Sequence, residues 1–256
     1  MTELENETQT ALTTKGLTRK FGAFVAVDQV DFSVVEGEIR AVIGPNGAGK
    51  TTFFNLLTGH LRPSDGEIVL GREVISGRRA HEVAQMGMTR AFQTTNIFPS
   101  MTVYDNVVTA LLGYSRRTLR FWTRPDASIA ERAAEVIELV GLSEHRDRQA
   151  GILAHGDQRA LELAMALAPS PRILLLDEPT SGMSPYETQR SVDLLKKIWN
   201  ELHLTIILSE HDMEVVFGLA HRVTVLVAGR ILATGDPAEV RANPEVIRAY
   251  LGGVGE

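Results

Sequence analysis

A chain of 256 residues, 44% hydrophobic and 23% charged, has the length and composition of an ordinary soluble globular protein with a real core. The net charge of −6 argues against broad electrostatic binding to nucleic acid, and the absence of cysteine excludes disulfides, thiolate chemistry and Cys-based metal sites. No apolar run approaches the roughly 20 residues that cross a bilayer, and the acidic residues 1–10 do not form a signal peptide.

Residues 1–11 are polar and acidic and are expected to be a disordered tail, leaving 12–256 as one domain. Over 12–35, short apolar and β-branched bursts (Leu17, Val25-Ala26-Val27, Val30, Phe32, Val34) predict strands of an antiparallel sheet. Ile39-Arg40-Ala41-Val42-Ile43 predicts a buried strand, and Phe53, Phe54, Leu56 and Leu57 a helix ending near Gly59. Gly71-Arg72 within 67–75 signals a hairpin. From about 99 to 168 the pattern turns helical: 130–140 is stopped by Gly141, and 158–168 by Pro169-Ser170-Pro171. The continuous apolar runs 173–176 and 205–208 predict parallel strands covered on both faces. A helix over Pro185–Leu202 separates them, and a hairpin at 223–233 and a helix over Pro244–Leu251 close the chain. The expected fold is one α/β unit with a helical insertion.

Gly44-Pro45-Asn46-Gly47-Ala48-Gly49-Lys50-Thr51-Thr52 has the form G-x-x-x-x-G-K-[ST] between a strand and a helix, the setting of a phosphate-binding loop. The glycines let backbone N–H groups turn inward around phosphates, Lys50 would reach the β/γ-phosphates, and the Thr51 hydroxyl would ligate Mg²⁺. The run 173–176 ends in Asp177-Glu178. A carboxylate at a strand end beside such a loop holds the Mg²⁺ shell, which suits Asp177. Glu178, one residue on, can orient and polarise an attacking water.

Six stretches stand in a set order: Phe21; the 44–52 loop; Gln93 in Arg90-Ala91-Phe92-Gln93; Leu153-Ala154-His155-Gly156-Asp157-Gln158-Arg159; 174–178; and Glu210-His211-Asp212. Together they resemble the ATP-binding cassette of ABC transporters over almost the whole chain. Residues 106–253 are similar to the ATPase subunits of branched-chain amino-acid importers, through Arg148-Gln149-Ala150, Glu210-His211-Asp212-Met213 and the tail from Asn243 to Gly252. The resemblance implies a P-loop NTPase core with an antiparallel β subdomain and a helical subdomain. It implies adenine stacking on Phe21, a contact of Gln93 with the Mg²⁺ shell, and His211 as a sensor of the γ-phosphate. Leu153, Ala154, His155, Gly156 and Asp157 would complete the ATP site of a second cassette, head to tail.

The chain departs from the general family pattern in four places. Ala154 stands for Ser, His155 for Gly, Asp157 for Gln, and Ser184 for Asp. Ala154 removes a hydroxyl that would reach the opposite ATP, while the backbone N–H groups of 153–159 remain. The stretch 114–124, with four Arg and three aromatics, reads equally as a contact with a transmembrane partner or anionic headgroups and as a solvated loop.

The expected activity is MgATP hydrolysis to ADP and phosphate at the cytoplasmic face of the inner membrane, with Mg²⁺ as cofactor. The expected partners are a second cassette, two permease subunits and, indirectly, a solute-binding protein, with no nucleic acid. The solute rests on the resemblance alone: a branched-chain or related amino acid. An exporter cassette, for example for lipopolysaccharide, and a non-transport ABC ATPase are the two rival classes.

Overall fold

The computed structural model describes residues 9–91, 97–114 and 126–251. Gln93 and most of 114–124 lie outside these. In chain order the elements are β1 (Thr10–Phe21), β2 (Phe24–Val35), β3 (Ile39–Ile43), α1 (Lys50–Leu57), β4 (Asp65–Leu70), β5 (Glu73–Val74), α2 (Ala80–Gln85), β6 (Met88–Ala91) and α3 (Val103–Tyr114). They continue with α4 (Ala127–Leu139), α5 (His155–Leu167), β7 (Ile173–Asp177), α6 (Pro185–Leu202), β8 (Thr205–Ser209), α7 (Met213–Leu219), β9 (Arg222–Val227), β10 (Arg230–Gly235), α8 (Pro237–Ala242) and α9 (Pro244–Leu251).

Two sheets result. One is antiparallel, in the order β2-β1-β4-β5. The other runs β10-β9-β3-β8-β7-β6 and is parallel except at its β10 edge. The parallel strands are buried on both faces, and their side chains sort by alternation. Ile39, Ala41, Ile43, Leu174, Leu176, Ile206 and Leu208 join the core shared with α3–α6. Val42, Ile173, Leu175 and Ile207 face a second core with α1 and the antiparallel sheet. A period of two with no polar face is what a doubly covered parallel sheet requires. Phe53 and Phe54 anchor α1 in the second core, Phe53 edge-on to Phe32 at 5.2 Å; each such burial contributes about 1.5–3 kcal/mol.

Two expectations need correction. β1 begins at Thr10, so Thr10 and Ala11 belong to the sheet (Thr10 pairs with Val35) and not to a tail. The helix expected from 158 begins at His155. Ala154 is extended (φ −61, ψ 153) and its carbonyl accepts from the Gln158 N–H at 2.9 Å, which closes the first turn three residues early. The sequence reading also missed β6, whose four residues Met-Thr-Arg-Ala carry no apolar run because the strand lies at a sheet edge.

Candidate functional site

The phosphate loop leaves the C-terminal end of β3, the strand between β9 and β8. A Cβ on Gly44 would fall 2.1 Å from the Leu226 carbonyl oxygen, and one on Gly49 2.4 Å from that of Ala26. Gly49 also stands at φ 100. The chain's own packing therefore demands glycine at both positions. Helix α1 starts at Lys50 with no side-chain cap and no acid in its first turn. Its first N–H groups are left for an anion, and the helix dipole favours one there.

Lys50 is buried, and its Nζ donates to the carbonyls of Gly44 (2.5 Å) and Pro45 (3.3 Å). Burial holds its ammonium below the usual lysine range, and the Glu178 and Asp177 carboxylates pull it part of the way back. Asp177 ends β7 opposite Ser209 of β8. Its Oδ1 accepts from the Ser209 hydroxyl at 2.7 Å and its Oδ2 from Arg90 at 2.5 Å. Arg90 also donates to Asn55 of α1 at 2.6 Å. Side chains from β6 and β8 thus fix one carboxylate, and Asn55 of α1 holds the β6 arginine.

Glu178 is the residue at which the chain leaves β7. Its φ of 50 is a conformation that costs a non-glycine residue roughly 1–3 kcal/mol. Its N–H donates to the Ser209 carbonyl at 3.0 Å. The turn swings the side chain out to meet His211, with Oε1 2.8 Å from Nε2. Of the residues expected from sequence, the structure therefore brings together Lys50, Asp177, Glu178 and His211. Thr51 is exposed at the mouth of the same loop. Phe21 lies at the end of β1, 44% exposed, with the Arg19 guanidinium 4.6 Å from its ring centroid.

The segment 153–157 is placed differently. Leu153 is buried, Ala154 and His155 are exposed, and Ala154 gives α5 no side-chain cap. Asp157 lies 3.7 Å from His145 and 3.9 Å from Arg190. A Cβ on Gly156 would meet only Glu187, at an ordinary 3.8 Å. Gly156 and Asp157 share with Asp177, Leu176 and Pro179 a cleft of about 220 Å³ in which no phosphate-loop residue takes part. Ser184 caps α6 in a reciprocal box with Glu187. That gives Ser184 a structural task within its own chain.

Sequence reasoning passed over four residues of the site. Ser209 had a legible signal, a hydroxyl closing an otherwise apolar buried strand. Arg90 and Glu210 were visible only as neighbours of motif residues. A fourth, Tyr250 of α9, has no local signal: its hydroxyl is buried beside the Gly44 backbone, and burial pushes its pKa up to about 12.

The two-sheet fold, with a glycine loop ending in a buried lysine beside a fixed aspartate and a paired Glu–His, is that of a P-loop ATPase. The chain belongs to the ABC transporter family: residues 27–181 match the family model described as ABC transporter, and residues 230–256 the one described as Branched-chain amino acid ATP-binding cassette transporter. It is 43% identical to the high-affinity branched-chain amino acid transport ATP-binding protein LivG of Salmonella typhimurium, over 95% of this chain and 98% of that one. To BraF of Pseudomonas aeruginosa, of the same description, it is 41% identical over 94% and 97%. The ADP conformation of an ATP-binding cassette of an ABC transporter superposes with a TM-score of 0.87 at 28% identity, covering 95% of this chain and 99% of that one. A dimeric post-hydrolysis cassette bound to ADP and Pi gives 0.74 at 25% identity, covering 88% and 98%. No helix among the described residues is long and apolar enough to cross a membrane.

Proposed function

We propose that this chain is the ATP-hydrolysing subunit of an importer for a small solute, a branched-chain or related amino acid, working from the cytoplasmic face of the inner membrane. The observation that carries the chemistry is the Glu178–His211 pair, 2.8 Å apart beside Lys50. In this reading the free N–H groups of α1 and Lys50 hold the β- and γ-phosphates, and Phe21 takes the adenine on its exposed ring. Glu178 accepts a proton from the attacking water, and His211 meets the charge gathering on the γ-phosphate. The Thr51 hydroxyl and Asp177, with Gln93 from outside the described residues, would hold Mg²⁺. Among the described residues no three acidic or histidine side chains converge on a cation, as suits an ion held mainly by phosphates and water. Mg²⁺ would neutralise phosphate charge.

Leu153, Ala154, His155, Gly156 and Asp157 then serve the ATP of a second cassette, and the stroke passes to two permeases through the region around Gln93, outside the described residues, and 98–108, where Phe98 and Met101 are exposed. The importer assignment is supported by the full-length likeness to LivG and by the match over 230–256. It is tested by extracting Glu178→Gln from the native membrane with ATP and identifying its companions by mass spectrometry. Two polytopic permeases and a solute-binding protein are the expected result. Envelope-export proteins, or ribosomal or DNA-associated companions without a permease, would overturn it.

A further inference from the structure

Glu210 is 3% exposed, yet neither ATP nor Mg²⁺ requires it in the reading above. Both of its carboxylate oxygens are engaged. Oε1 accepts from the Thr180 N–H at 2.9 Å and from the Thr180 hydroxyl at 2.6 Å, and Oε2 accepts from the His211 N–H at 3.0 Å. Thr180 lies two residues beyond Glu178 and opens the turn that leads to Ser184 and α6. The Ser181 N–H donates to the Glu178 carbonyl at 3.1 Å, and the Met183 N–H to the Thr180 carbonyl at 3.2 Å. One buried side chain therefore ties the loop after β7 to the loop after β8.

We infer that Glu210 is a positioning residue for ATP hydrolysis, a strut that sets the Glu178–His211 distance by holding the two loops that carry them. The pairing of β7 with β8 brings Asp177 beside Ser209, and the Glu178 N–H still donates to the Ser209 carbonyl at 3.0 Å, but there the strands end. The gap is bridged by the next two residues of the β8 side. Glu210 grips Thr180 and the His211 backbone, and His211 then reaches back to Glu178. Both carboxylate oxygens are needed, because all three partners are donors. A glutamine would keep the shape but offer one acceptor, turning its NH₂ towards either Thr180 or the His211 N–H, where two donors would face each other.

The strut also connects two functions. Thr180 begins the turn 180–184, whose Ser181, Gly182 and Ser184 are exposed, whereas His211 faces this chain's own nucleotide. A shift of the exposed turn reaches His211 through one carboxylate, without passing through the phosphate loop.

The inference rests on the proposed roles of Glu178 and His211, and the experiment separates the two claims. MgATP turnover by the wild-type chain, abolished in Glu178→Gln, tests those roles first. Glu210→Gln and Thr180→Val are then compared singly and together for kcat, for ATP affinity and for thermal unfolding. Displacing a reacting group by about 1 Å costs up to roughly 10²-fold. Glu210→Gln is therefore expected to lower kcat at least tenfold while ATP affinity stays within threefold of wild type. Thr180→Val, which keeps its N–H, should lose less, and the double variant should match Glu210→Gln alone, because both act through one carboxylate. Losses that multiply in the double variant, an unchanged kcat, or a parallel fall in affinity would overturn the inference. Should Glu210→Gln fail to fold, Thr180→Val decides alone: a fall in kcat at unchanged affinity supports the strut, and any other result removes it.

Discussion

The phosphate loop and the first turn of α5 are both helix N-termini that carry glycine and lack a side-chain cap, yet they stand in opposite relations to their own chain. At the loop, Gly44 and Gly49 are forced by packing, since any Cβ would strike a backbone carbonyl. Around it Lys50 is held by the loop carbonyls, Asp177 by Arg90 and Ser209, and Glu178 by His211. At α5, a Cβ on Gly156 would meet nothing closer than 3.8 Å, and Ala154 and His155 are exposed. A glycine that no contact of its own chain demands, at a helix start without a side-chain cap, fits the proposal that α5 serves the ATP of a second cassette. The difference separates the half of the site that this chain's packing builds from the half it leaves open.

That contrast can be broken or sharpened. The largest effect is expected from Glu178→Gln, which removes the proposed proton acceptor but none of the proposed phosphate donors. Turnover should fall by roughly 10²–10⁴-fold with ATP still bound, as read by phosphate release and by a fluorescent-nucleotide titration; a fall of less than threefold would take Glu178 out of its role. Lys50→Ala should lose ATP affinity itself, by about 10–100-fold for a charged hydrogen bond worth roughly 1.5–3 kcal/mol. Retained affinity in the same titration would remove the loop from phosphate binding.

Ser184→Ala should produce the smallest effect, about 1 kcal/mol of stability from the lost helix cap, seen as a lower urea midpoint. Its pH dependence follows from Glu187. The Ser184 hydroxyl and N–H hold that carboxyl below its ordinary 4.5, so its contribution is fully present above that value and is lost as pH falls through the folded-state pKa. The gap between wild type and Ser184→Ala should therefore be widest near neutrality and close in acid. A gap that widens in acid would contradict the box.

Much of this site was legible in the sequence because it is built from contiguous runs. Strand, glycine loop and helix follow one another within residues 39–57, and Asp177-Glu178 closes an apolar run. What escaped depends on pairing between distant strands. Arg90 reaches Asp177 only because β6 lies beside β7, and Glu210 reaches Thr180 only because β8 does. The early start of α5 escaped because its first turn, His155-Gly156-Asp157, is polar and small and shows no apolar period; the extended Ala154 sets it.

The most direct test of the division between the two helix starts is Gly156→Leu. Replacing glycine inside a helix gains up to about 1 kcal/mol of propensity, and a Cβ at Gly156 would make only ordinary contacts, with Glu187. The isolated variant should unfold at or above the wild-type temperature and bind MgATP within threefold of wild type by titration calorimetry, while hydrolysis in the assembled transporter is lost. An affinity loss in the isolated chain comparable to that of Lys50→Ala would contradict the account, because it would place the start of α5 in its own chain's nucleotide site.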